Sequence, residues 1–66
     1  MIHSAATRST ALALIAQYGD DAEVIAVLRA AELAALGDVD GLAQWDEVIA
    51  CIEDLQSVPP TGHLLN

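Results

Sequence analysis

The chain has 66 residues, with ten Asp and Glu against Arg8 and Arg29, for a formal net charge of −8 and a pI near 4.1. Hydrophobic residues make up 55% of it, which excludes a disordered chain, and the length allows one small domain. Two cations release too few counterions for direct nucleic-acid binding, and the same charge disfavours anionic membranes.

The apolar residues are small and helix-forming: thirteen Ala and nine Leu, with no Phe, one Trp and one Tyr. The pattern predicts an all-α fold, a compact three-helix domain over 1–56 with helices about 4–18, 21–36 and 39–56. An extended, Pro-containing C-terminal tail over 57–66 follows. The first helix takes Ser4 as N-cap and stops at Gly19. Ala11, Leu14, Ile15 and Tyr18 follow i, i+3, i+4, i+7 spacing, and Leu12 and Ala16 widen that stripe.

The second helix opens at Asp20-x-x-Glu23, which has the spacing of a capping box, and ends at Gly37. Val24, Val27, Leu28, Ala31 and Ala35 form one apolar stripe, and Ile25, Leu33 and Leu36 lie on another. A helix apolar on two sides is expected to be central. Arg29 and Glu32, spaced i, i+3, are placed to pair.

Asp38 follows Gly37 directly, so the third helix must reverse sharply on the second. Leu42, Trp45, Val48, Ile49, Ile52 and Leu55 make its apolar face. Asp40, Glu47 and Asp54 lie opposite at heptad spacing, flanked by Asp46 and Glu53, with no Lys or Arg in the helix. Gly41 in the first turn is expected to allow a close approach of helix one or the tail. From Ser57 onward the prolines at 59 and 60 hold the chain extended, and Leu64 and Leu65 are the tail's apolar residues.

No catalytic, cofactor-binding or metal-ligating set is expected. His3 and His63 lie near opposite ends, and no Glu-x-x-His pair occurs. Cys51 has acids rather than cations beside it, which disfavours the thiolate and suits a packing role. Asp40, Glu47 and Asp54 are about 10 Å apart by helical rise, too far for joint acid–base work. A single cysteine and the lack of a long apolar stretch predict a soluble, cytoplasmic protein.

Tyr18-Gly-Asp-Asp-Ala22, Leu28-Arg-Ala-Ala-Glu-Leu33, and Leu36-Gly-Asp-Val-Asp-Gly-Leu42 followed by Trp45 and Ile52-Glu-Asp-Leu55 carry a resemblance. Together they resemble a family of short alphaproteobacterial helical proteins that carries a domain of unknown function. The resemblance covers most of residues 5–56 and implies a compact helical protein, with no activity or site. This chain departs from that pattern in carrying few Arg. The turn into helix three is also similar to half of a tetratricopeptide unit, whereas a repeat array needs about three units.

The functional expectation is a non-enzymatic protein–protein interaction module that forms a homo-oligomer. The alternative is an acidic inhibitor or antitoxin-like protein that binds a basic enzyme or toxin. A chain this short buries only about 60% of its unfolded surface, so a partner adds stability a monomer lacks. The candidate interaction surface comprises Ile25, Leu33, Leu36, Asp40, Glu47 and Asp54.

Overall fold

The computed structural model describes residues 3–57, and these form an all-α chain. Helix α1 is Ala5–Tyr18, helix α2 is Ala22–Leu36 and helix α3 is Val39–Gln56. Ser4 caps α1 as its sequence indicates, its hydroxyl accepting from the Thr7 backbone N–H at 3.1 Å.

Between α1 and α2 there is no loop. A single 3₁₀ turn, Gly19–Asp21, joins them, so residues 5–36 make one bent helical segment rather than two separate helices. Gly19 makes the bend at φ 59°, where a side chain is disfavoured, and its N–H still reaches the Ile15 carbonyl. The capping box expected at Asp20 does not form. Asp21 stands at the N-cap of α2 in helical geometry and makes no side-chain cap bond. The 3₁₀ turn already supplies carbonyl partners to the first amides, which removes the need for a cap.

At Gly37 the chain turns left-handed, φ 75°. Its N–H donates to the Ala34 carbonyl and the Asp38 N–H to the Leu33 carbonyl, at 3.1 and 2.9 Å. These bonds satisfy the end of α2 in the manner of a Schellman motif. Asp38 then caps α3, accepting from the Gly41 N–H at 2.9 Å. Gly41 is thus held close to Asp38 itself, not beneath helix one: a β-carbon there would lie 2.6 Å from Asp38 Oδ2.

The short turn makes α2 and α3 antiparallel. Glu23 meets Glu53 at one end and Arg29 lies over Trp45 further along. Helix α1 lies against the same helix α3, with Thr7 beside Trp45 and Val48, and Gln56 Nε2 donating to the Gly19 carbonyl at 2.9 Å.

The core is made of Ala11 from α1, Ala22 and Ala26 from α2, and Val48, Cys51 and Ile52 from α3, all at or below 5% exposure. Leu14, Ile15, Trp45, Ile49 and Leu55 pack around it. The bent segment therefore contributes methyl groups to this buried cluster, and α3 contributes the volume. Ala22, Ala26 and Ala30 form an i, i+4, i+8 ridge, which lets backbones approach closely and buries α2 by its smallest residues. The tail expected over 57–66 lies outside the described residues beyond Ser57.

Candidate functional site

The helix face left over by this packing is the distinctive feature of the surface. With the Ala22–Ala26–Ala30 ridge turned inward, the 3.6-residue period turns Val24, Val27 and Leu28 outward, at 57, 46 and 57% exposure. Ala31 and Ala35 extend the stripe and are exposed. At its N-terminal end Val24, Val27 and Leu28 line an open cleft of about 260 Å³, bordered by Asp20 and Glu23. Aliphatic side chains on the floor and carboxylates on the rim suit a partner's side chains better than a small polar substrate.

Electrostatics sharpen that rim. The Glu23 and Glu53 carboxyls, from α2 and α3, face each other. Hydrogen bonding to Glu53 when protonated, partial desolvation and the Glu53 charge hold the Glu23 carboxyl above its ordinary pKa. Arg29, the nearest cation on α2, is engaged elsewhere: it lies 3.5 Å from Glu32 and 6.0 Å from the centre of the Trp45 ring. The Arg29–Glu32 pair is the one its i, i+3 spacing indicates.

The sequence-selected surface residues separate into three places. Ile25 and Leu33 are half-buried within the fold, while Leu36 is 80% exposed beside Val39 at 75%, at the α2–α3 turn. Asp40, Glu47 and Asp54 are exposed along α3, as are Asp46 and Glu53. Two of these acids have a partner that the charge pattern of α3 does not reveal. His3 places Nε2 at 2.7 Å from Asp54 Oδ2, and Nδ1 at 3.7 Å from Glu47 Oε1. A carboxylate only accepts, so Nε2 is the donor to Asp54. Nδ1 is buried without a hydrogen-bond partner among the described residues. The imidazole thus ties the start of α1 across two turns of α3.

Beside this tie, Ser4, Ala6, Thr7 and Thr10 face Gln44, Trp45 and Val48 across an open cleft of about 300 Å³. It brings together hydroxyls and an amide but no base or acid that would activate them. Cys51 is fully buried in the core. Among the described residues no three His, Cys, Asp or Glu side chains converge on a point. No helix among them is long and apolar enough to cross a membrane. No family model, curated protein or solved structure matches this chain.

Proposed function

We propose that the chain is a non-enzymatic protein–protein interaction module, an all-α unit that self-associates through apolar surface. The carrying observation is the imbalance of its hydrophobic residues. Among the described residues Ile52 and Cys51 are the largest side chains fully buried, while seven large hydrophobics are exposed, Leu36 and Val39 most of all. A helix such as α2, apolar toward the core and toward solvent alike, is stable when something covers its outer side.

For self-association the Leu36 and Val39 pair at the α2–α3 turn is the most exposed apolar surface among the described residues. Sedimentation velocity across micromolar concentrations is the test. A concentration-dependent shift that Leu36→Glu abolishes supports self-association, and a folded monomer throughout refutes it. A second reading, an acidic inhibitor or antitoxin-like protein with a basic target, is favoured by the carboxylate-rimmed cleft at the other end of α2.

A further inference from the structure

We propose that the cleft of Asp20, Glu23, Val24, Val27 and Leu28 receives a basic amphipathic helix of a partner protein, whose aliphatic side chains enter the cleft while its Lys or Arg meet the rim. The inference rests on reading the chain as an interaction module with a basic target, and it names the surface and the chemistry of the occupant. Three features point to that occupant.

Val24, Val27 and Leu28 stand at i, i+3, i+4 on one helix face and are about half exposed. A row of that spacing meets a similar row on a second helix, ridge into groove. The rim is all carboxylate: Asp20 and Glu23 border the cleft, and Glu53 lies against Glu23. Among the described residues the single Lys or Arg ion pair is Arg29 with Glu32, so the rim carboxylates lack internal compensation.

The same charge selects against other occupants. A second copy of this chain placed face to face here would bring its own Asp20 and Glu23 against the same rim. An apolar neutral helix would bury the rim carboxylates unpaired. A helix with cations flanking an aliphatic stripe avoids both penalties. Electrostatic complementarity of this kind speeds association and sets partner choice, and its strength falls with salt.

The test uses the full chain and a fluorescein-labelled amphipathic Leu/Lys helical peptide, read by fluorescence anisotropy at low and high salt. A peptide of the same composition, scrambled so that no apolar face forms, is the control for charge alone. Leu28→Glu, on an exposed side chain, and the rim variant Asp20→Asn/Glu23→Gln are each expected to weaken binding about tenfold. Asp40→Asn/Glu47→Gln removes as many charges from α3 and is expected to change affinity less than about twofold. Melting curves of the variants confirm that each is folded.

Equal binding of the scrambled peptide, or equal weakening by the rim and α3 pairs, would overturn the inference in favour of diffuse attraction to an acidic surface. Absence of binding to the amphipathic peptide would overturn it as well. Neither result touches self-association at Leu36, which sedimentation reads separately.

Discussion

Truncation of Ile52 tests whether α2 is buried by its alanine ridge. Ile52 is fully buried, and its core cluster includes Ala11, Ala22 and Ala26 from the facing helices. Removing an Ile side chain to its β-carbon costs about 2–5 kcal/mol, more where the surroundings cannot close on the void. Alanine neighbours have no rotatable side chain with which to fill it, so Ile52→Ala is expected to cost about 3–4 kcal/mol. A domain of this size has a total stability of about 3–10 kcal/mol, so the variant is close to the limit of folding. At about 4–8 °C per kcal/mol, the melting temperature falls by about 12–32 °C.

Leu28→Ala deletes a comparable group from the outward face of the same bundle of contacts. At 57% exposure it has little to lose, and a change within about 1 kcal/mol is expected. Thermal unfolding of both variants by far-ultraviolet circular dichroism, at a concentration where the chain is monomeric, gives the comparison. If Leu28→Ala costs as much as Ile52→Ala, α2 packs by its valine and leucine face, and the argument from the alanine ridge fails.

Three further outcomes follow from the polar contacts. Asp54→Asn is expected to lower stability by about 0.5–1 kcal/mol through loss of the His3 contact, with His3→Ala non-additive to it in a double-mutant cycle; additivity of the two would mean that the contact contributes nothing. Glu23 has a carboxyl pKa raised in the fold by Glu53, so the native chain binds more protons than the unfolded one just above the ordinary carboxylate value. This contribution is fully present below that value and is lost as pH rises through the raised one. Glu23→Gln is therefore expected to flatten the fall in stability with rising pH across that window, and an unchanged profile in urea titrations would refute the contact. Gly41→Ala, a substitution that in an open helix interior gains about 1 kcal/mol, is expected to gain nothing, because the new β-carbon displaces the Asp38 cap. A raised melting temperature would show that the cap contributes little.

The elements and their ends were legible because the punctuation is strong. Ser4, Gly19, Gly37 and Asp38 each act locally, through a cap or a positive φ, and local chemistry is visible in a linear sequence. The face of α3 was legible for a related reason: Leu42, Trp45, Val48, Ile49, Ile52 and Leu55 are all buried or half-buried, and one polar side leaves one choice. Helix α2 offers no such choice. Periodicity counts apolar residues without weighing their size, and α2 is apolar nearly all round. What decides its orientation is how near α3 can come, and that selects Ala22, Ala26 and Ala30.

The tie from His3 to Asp54 was hidden for a different reason. It joins residues 51 positions apart, and its existence depends on where α1 lies. The acidic stripe of α3 reads in the sequence as a bare solvated face, whereas the fold sets an imidazole across it. The bent junction escaped as well: Gly19 signals a stop with equal force whether a loop or a single 3₁₀ turn follows.

Cys51 gives the molecule a built-in clock. Its thiol lies at zero exposure where α3 meets the bent α1–α2 segment, so a thiol reagent reaches it only after α3 has lifted away from the alanines of that segment. The rate of its modification in native buffer thus counts openings of the core, without any label built into the chain. A ligand held on the outer face of α2 slows that count by the factor through which its binding lowers the open population. The smallest core position that carries a reactive atom therefore reports on surfaces it never touches.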